Sequence, residues 1–258
     1  MLRLAISTAL TLGLLVIPGA TQCERDFLIA ATDSLLAAQS GGDAATLAPL
    51  AETVNYLEQF KTADIASGIL TQPLTLAFNR SLHDTTACAT YTEMIVTDAS
   101  HPYVIGTQMR FEDGKIANIS SLVTDQGDWL FNATGTYYWA SREEWPEIPE
   151  DQRDSREVIQ AAADAYADLF NDKSVVVPWG EPCARLEGGA YTGSGSPTDR
   201  CDVGVPNGVV LANRRYVIDE TLGAVDVFID FATVPDSHEF RVENGKLRYV
   251  HTLTVMGG

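Results

Sequence analysis

Apolar residues recur at helical spacing at the start of each half of the chain. Intervals of three and four residues place such side chains on one face of a helix. The apolar positions are Phe27, Leu28, Ala31, Leu35 and Ala38 in the first half, and Val158, Ala162, Ala165, Leu169 and Phe170 in the second. We therefore expect one amphipathic helix near residues 27–38 and another near residues 158–170.

Each predicted helix is followed by a loop-rich section, with short helices expected between residues 47 and 60, and then by strands. β-Branched and aromatic residues are frequent in these later segments, as is typical of strands. Two hairpins are indicated by Asp113-Gly114 and Asn244-Gly245, because both central residues of a type I′ turn take positive φ. The predicted strands cover residues 87–97, 103–112 and 115–124, and residues 223–233, 237–243 and 246–256. This order predicts an α+β unit, a helix followed by an antiparallel meander, that occurs twice.

The two halves also align in sequence. Residues 110–122 (RFEDGKIANISSL) recur as residues 241–253 (RVENGKLRYVHTL), at an offset of 131. The same offset aligns Arg25 with Arg156 at the start of the two predicted helices. Two separated segments that share one offset indicate an internal duplication.

The first 22 residues have the composition of a secretory signal peptide. Arg3 precedes an apolar stretch at residues 4–17, and Pro18-Gly19-Ala20 supplies a helix breaker and small residues. The stretch is shorter than the roughly 20 residues that span a bilayer, which disfavours a retained membrane anchor. We expect export, removal of residues 1–22, and no membrane association afterwards.

The rest of the chain divides into three parts. Residues 23–131 are expected to form the first unit, residues 132–153 a connector, and residues 154–258 the second unit. The connector carries Tyr137-Tyr138-Trp139 and two prolines. Because flexible linkers are small and polar, this aromatic content predicts a connector that packs across both units.

Four cysteines are compatible with an oxidising compartment. Cys23 and Cys88 lie in the first half, and Cys183 and Cys201 in the second. Four cysteines allow three pairings, of which Cys23–Cys88 and Cys183–Cys201 are the most economical. No close Cys-x-x-Cys pair is present to favour a metal site instead.

Three Asn-x-Ser/Thr sequons, at Asn79, Asn118 and Asn132, are consistent with a glycoprotein that keeps these positions at its surface.

The formal net charge is −18, and there is no run of lysine or arginine. Nucleic-acid binding draws its affinity from clustered basic residues, so nucleic acid and anionic membranes are disfavoured as partners.

Each half begins with a helix and continues with a curved meander that ends in Glu-Asp/Asn-Gly-Lys-Ile/Leu and a long last strand. This order resembles the SnoaL-like fold, also called ketosteroid-isomerase-like or nuclear-transport-factor-like. The mature chain also resembles secreted fungal proteins of unknown function with a tandem SnoaL-like repeat, in segments such as residues 83–86 (HDTT), 153–156 (RDSR) and 182–188 (PCARLEG). The resemblance implies two cone-shaped units, each with an apolar pocket between sheet and helix. It also implies a monomer whose fused units imitate a dimer.

The strands of the second unit carry the first candidate site. Asp226 and Asp230 share one strand face, and Tyr249 and His251 share a face of the last strand. A carboxylate beside a histidine in an apolar pocket is suited to general acid–base catalysis. His251 stands out because the matching residue of the first half is Ser120. The alternative reading is that these side chains face solvent, since a shift of one residue exchanges the two faces.

The first unit carries an alternative cluster. His83 and Asp84 precede the strand at residues 87–97, and His101 follows it. The four histidines, which include His238, show no metal-ligand spacing. No phosphate-binding or nucleophile motif is recognised either, so no metal and no cofactor are expected.

Two classes of function remain open. The first is a secreted, cofactor-independent isomerase, cyclase or lyase that acts on a hydrophobic small molecule, for instance in fungal secondary metabolism. The second is a non-catalytic secreted binding or cell-surface protein that uses the same scaffold.

Overall fold

The computed structural model describes residues 23–257. The predicted signal peptide, residues 1–22, lies outside the described residues. Within them the fold is α+β, with three helices and two six-stranded mixed sheets. No helix in this part of the chain combines the length and apolar character that crossing a bilayer requires.

The first sheet is built by the first half of the chain, in the order β2-β1-β6-β5-β4-β3. Helix α1 and two 3-10 turns, Ala44–Thr46 and Ile69–Thr71, accompany it. The bounds are α1 Arg25–Gly41, β1 Leu50–Glu58, β2 Lys61–Thr62, β3 Phe78–Asp84, β4 Ala89–Val96, β5 Tyr103–Glu112 and β6 Lys115–Thr124.

The second sheet repeats this arrangement, in the order β8-β7-β12-β11-β10-β9. Helix α2 (Ala133–Ala140) and the 3-10 turn Glu150–Gln152 lie between the two halves. The remaining bounds are α3 Arg156–Leu169, β7 Trp179–Glu187, β8 Ala190–Tyr191, β9 Leu211–Asp219, β10 Ala224–Phe231, β11 Val234–Glu243 and β12 Lys246–Thr254.

Both predicted helices and all six predicted strands are present. The short helices expected between residues 47 and 60 are not: residues 50–58 form strand β1, which pairs in parallel with β6. Strand β7 pairs in parallel with β12 in the same way. The sheets are therefore mixed, whereas the sequence predicted an antiparallel meander. A parallel partner distant in the chain leaves no turn signal between the two strands.

Helices α1 and α3 each cover one face of the sheet of their own half. In the first half, Leu28 and Leu35 of α1 pack against the sheet with Ile105 and Met109. In the second half, Ile159 and the other apolar residues of α3 pack against β10 to β12. Alternation along each strand directs the remaining side chains to the opposite face.

The faces that the helices leave free pack against each other. Leu82 and Tyr91 of the first sheet meet Val217 and Phe228 of the second in one buried cluster. The rings of Tyr91 and Phe228 meet edge to face, 6.1 Å apart. Both faces of each sheet are therefore buried, and the two halves share one interface.

Two reciprocal ion pairs cross this interface. Asp84 at the end of β3 accepts two 2.7 Å hydrogen bonds from Arg156 at the start of α3. Asp219 at the end of β9 accepts a 2.8 Å bond from Arg25 at the start of α1. Each aspartate also accepts a backbone N–H of the other half, from Ile218 and His83 respectively. Such an exchange of equivalent contacts is the pattern of a two-fold interface.

We expect Asp84→Asn and Asp219→Asn each to lower the free energy of unfolding by about 2 kcal/mol, because each removes the charged acceptor of several bonds to the other half. Arg156 and Arg25 remain partly exposed and regain water, which limits the loss. Urea unfolding measures it, with the exposed Asp98→Asn as the control. A loss in only one of the two variants would contradict an interface held equally at both ends.

Two disulfides are present, Cys23–Cys88 and Cys183–Cys201, as the economical pairing predicted. The first joins Cys23, two residues before α1, to the β3–β4 turn, and the second joins β7 to the segment between β8 and β9.

Among the sequons, Asn79 and Asn132 are exposed and Asn118 is half-buried. The Oδ1 atom of Asn132 caps α2 through Gly135, which leaves its Nδ2 atom available to a glycan.

Candidate functional site

The second half of the chain contains a cavity of about 510 Å³ on the helix-covered face of its sheet. Strands β7, β11 and β12 form one wall, and the segment that follows the Cys183–Cys201 disulfide forms another. Most of the lining is apolar. The lining residues are Trp129, Phe170, Arg185, Glu187, Gly204, Pro206, Val209, Phe231, Ala232, Thr233, Val234, His238, Thr252, Thr254 and Met256.

His238 lines this cavity, and Asp236 lies beside it. The Nδ1 atom of His238 lies 2.7 Å from Oδ2 of Asp236, two residues earlier on the same face of β11. The two atoms are close without hydrogen-bond alignment. The other carboxylate oxygen accepts a 2.6 Å bond from Thr254 Oγ1. His238 and Asp236 are both almost completely buried, so the pair is shielded from bulk water.

Aromatic rings hold the His238 imidazole in place. Phe240 stacks on it at 5.9 Å, and the rings of Tyr166 and Phe170 from the region of α3 lie 5.4 and 6.0 Å away. With Nδ1 2.7 Å from the Asp236 carboxylate, Nε2 is the ring nitrogen left to meet a ligand. A fixed ring with one nitrogen beside a carboxylate has the arrangement of a general base.

Tyr166 and Arg185 add two further polar groups. Burial raises the pKa of the Tyr166 hydroxyl, and the Arg185 guanidinium opposes part of that rise. Arg185 Nε has no acceptor with hydrogen-bond geometry, whereas the Tyr166 hydroxyl lies within reach of the guanidinium, which lowers the Tyr166 pKa by charge and by hydrogen bonding. Arg185 makes one long bond, 3.4 Å from Nη1 to the Cys201 carbonyl, and lies 3.3 Å from a carboxylate oxygen of Glu187.

The equivalent positions of the first half are different. The strand register makes Asp236 equivalent to Ile105, because Asp236 pairs with Thr254 and Ile105 pairs with Val123. In the same way, His238 is equivalent to Thr107, because these residues pair with Thr252 and Ser121 respectively. The offset of 131 sets Tyr166 against Leu35. In the first half, the space under the sheet is filled by apolar side chains that include Leu35, Leu70 and Ile105.

The predicted site residues of the second unit lie on the other face of the same sheet. His251, Asp226 and Glu239 are neighbours across β10, β11 and β12, and all three are buried between the two sheets. Asp226 accepts 2.6 Å bonds from Gln108 Nε2 and Ser237 Oγ, and burial raises its pKa well above the usual value. His251 and Asp226 thus share a face, but away from the cavity.

The two other predicted residues are not joined to this pair by hydrogen bonds. Tyr249 stacks on Trp145 of the connector, with ring centres 5.8 Å apart. Asp230 accepts a bond from Asn213 Nδ2 near the surface. A catalytic role for His251, Asp226, Asp230 and Tyr249 stays a prediction.

His251 belongs to a buried charge network that joins the two halves. Its Nε2 atom lies 2.7 Å from Glu143 of the connector, and its Nδ1 atom lies 3.0 Å from Glu93 of β4. Burial lowers the pKa of His251, but the attraction of Glu143 and Glu93 outweighs burial and raises it to about 10. The raised pKa favours the protonated form of His251 at neutral pH.

Arg80 of β3 provides the second cation of this network. Its Nη2 atom donates to Glu93 at 3.0 Å and to Glu239 at 2.6 Å, while Trp145 covers the guanidinium at 3.8 Å. Glu93, Glu239 and His251 converge closely enough for a metal ion. Both carboxylates of that group already accept hydrogen bonds from the Arg80 guanidinium, which therefore occupies the position of a counter-charge.

The structure separates the members of the alternative cluster in the first unit. His83 and Asp84 are adjacent at the end of β3, where Asp84 is held by Arg156. His83 Nε2 bonds Thr32 Oγ1 at 3.1 Å, and burial lowers the pKa of His83 to about 4. His101 lies in the exposed loop before β5, at the other end of β4. A joint role for these three residues stays a prediction.

Sequence reasoning did not single out His238, Asp236, Tyr166 or Arg185 as a site. The available signals were the alternation Asp-Ser-His at residues 236–238 and Arg-Leu-Glu at residues 185–187. In addition, each of these four residues differs in type from the equivalent residue of the first half. The repeat alignment was used for His251 and Ser120, but it carries the same information for His238 and Thr107.

Residues 152–254 match the model of a family described as a domain of unknown function (DUF8021). This match covers the second half, which contains the cavity. No curated protein matches the chain. No solved structure matches it either.

Proposed function

We propose that the protein is a secreted, cofactor-independent isomerase or lyase with a SnoaL-like scaffold, and that its second half binds a hydrophobic small molecule. One observation carries this proposal: an apolar cavity of about 510 Å³ is lined by the buried His238, which lies beside the buried Asp236, and the equivalent positions of the first half are uncharged. Sites for small molecules are mostly apolar, with a few oriented polar groups. The two disulfides fit an exported protein.

In the proposed reaction, His238 Nε2 accepts a proton from a carbon of the bound substrate. The electron pair of the broken C–H bond moves toward an adjacent carbonyl oxygen. In an isomerisation, the proton returns from Nε2 to a different carbon; in an elimination, a leaving group departs and takes up a proton. Asp236 holds the ring and stabilises the imidazolium that forms, as a carboxylate partner of a general base does.

The test uses the exchange of carbon-bound protons for deuterium in D₂O, followed by NMR on small aromatic ketones such as 2-acetonaphthone. We expect His238→Gln to slow protein-catalysed exchange by about 100-fold or more, because a positioned general base contributes that much. Thr107→Ala, a change at the equivalent position of the first half, serves as the control and is expected to leave the exchange rate unchanged.

Two outcomes would contradict parts of this proposal. Full exchange activity in His238→Gln removes this residue from proton transfer. Binding of the ketones without exchange by the wild type favours the alternative, a non-catalytic binding protein on the same scaffold.

A further inference from the structure

Arg185 is a buried cation with few partners on the wall of the cavity. Its side chain is 5% exposed, and it projects from β7 on the same face of the sheet as His238. A guanidinium has five N–H donors in a planar fork. The Cys201 carbonyl accepts one of them at 3.4 Å, and Nε lacks an acceptor with hydrogen-bond geometry.

Glu187 balances this charge only in part. Its nearest carboxylate oxygen lies 3.3 Å from Arg185 Nε, and its side chain is 28% exposed at the rim of the cavity. The Tyr166 hydroxyl lies beside the guanidinium and uses part of its hydrogen-bonding capacity. Buried polar groups are normally hydrogen-bonded, so a buried guanidinium with unused donors in a cavity wall indicates a ligand that supplies acceptors.

The first half supports this reading. Tyr56 is the residue of the first half that is equivalent to Arg185. Arg185 pairs with Val250 and Tyr56 pairs with Ile119, and these two partners are related by the offset of 131. The hydroxyl of Tyr56 bonds Glu58, the equivalent of Glu187, so this position is satisfied within the chain. In the second half Glu187 lies 3.3 Å from Arg185 Nε without hydrogen-bond geometry, so part of the donor capacity of the guanidinium remains for a ligand.

We infer that Arg185 selects ligands that carry a planar oxygen acceptor, a carboxylate or a carbonyl, at the end that enters the cavity. This inference rests on the proposed function of the cavity as a small-molecule site. The guanidinium fork matches the geometry of a carboxylate, and charge-assisted bonds are the stronger ones, so a carboxylate is the preferred form. The apolar lining, which includes Trp129, Phe231 and Met256, receives the rest of the molecule.

Three probes of similar shape separate the contributions: 2-naphthoate, 2-acetonaphthone and 2-ethylnaphthalene. We expect the wild type to bind naphthoate about 10- to 100-fold more tightly than ethylnaphthalene, with acetonaphthone between them, because a hydrogen bond to a charged group has that magnitude. Calorimetric titration measures the three dissociation constants. Arg185→Gln is expected to abolish the preference while retaining ethylnaphthalene binding, which shows that the cavity is intact.

The exposed Arg153→Gln changes the net charge equally and is expected to keep the preference. Arg185→Lys keeps the charge without the fork and is expected to bind naphthoate more weakly than the wild type; it also serves if Arg185→Gln does not fold. Equal binding of the three probes by the wild type overturns the inference and leaves the proposed function standing. Binding of none overturns both.

Discussion

Arg80→Met is expected to lower the free energy of unfolding by about 3–5 kcal/mol, the usual result of removing one partner from a buried ion pair. Arg80 donates to Glu93 and Glu239, and both carboxylates are almost fully buried. Glu143 adds a third carboxylate nearby. Without the guanidinium, His251 is the only cation left among three carboxylates in the network.

The equivalent residue of the second half offers a matched control. Arg215 occupies the position of Arg80 in β9, but its side chain is 39% exposed and its nearest carboxylate oxygen, on Asp230, lies 3.9 Å away. Arg215→Met is therefore expected to cost less than about 1 kcal/mol, as exposed pairs do. Chemical denaturation compares the two variants, and similar losses at both positions would contradict a special role of the buried network.

A second variant tests the electrostatic cause directly. Adding Glu239→Gln to Arg80→Met removes one of the unpaired carboxylates and is expected to restore part of the stability. The two changes therefore interact, which a double-mutant cycle measures. If the losses simply add, the cost of Arg80→Met comes from lost packing against Trp145 instead.

The second large effect is a loss of stability at alkaline pH. His251 has a pKa raised from 6.5 to about 10, so the folded state holds its proton more tightly than the unfolded state. The stabilisation is complete below pH 6.5 and is lost as pH rises through about 10. Its size is several kcal/mol by linkage, since one pKa unit corresponds to about 1.4 kcal/mol.

Stability measured from pH 6 to pH 10 checks this effect against His251→Gln. The variant lacks the titrating group, so its alkaline loss is expected to be smaller than that of the wild type by the contribution of His251. The charged groups that face the ring are Arg80, Glu93, Glu143 and Glu239. An identical pH dependence in both proteins would show that His251 is neutral when folded.

The same network makes the interface between the halves asymmetric. Arg25 and Arg156 hold its two ends in equivalent ways, whereas Glu239 and His251 in the second sheet correspond to Gln108 and Ser120 in the first. A symmetric dimer of either half would bring like groups together at its centre. We propose that the fused pair acts as a monomer with a dimer-like core, which sedimentation velocity tests.

Local patterns predicted most of the secondary structure. The helices at residues 25–41 and 156–169 follow from apolar spacing, and the hairpins at Asp113-Gly114 and Asn244-Gly245 from turn chemistry. The disulfide pairing followed from the distribution of the cysteines over the two halves. These features depend on neighbours in the sequence, or on the repeat itself, and are readable without a structure.

The sequence by itself predicted helices α1 and α3, six of the twelve strands of the described residues and the alternation along those strands, but not which face of a strand holds the cavity. His238 and His251 illustrate the limit: each lies on a strand that is buried on both faces, one face under a helix and the other against the second sheet. Alternation separates two faces only when one of them meets water. The tertiary structure decided the matter because parallel pairing of β1 and β7, and the packing of sheet on sheet, join residues far apart in the chain.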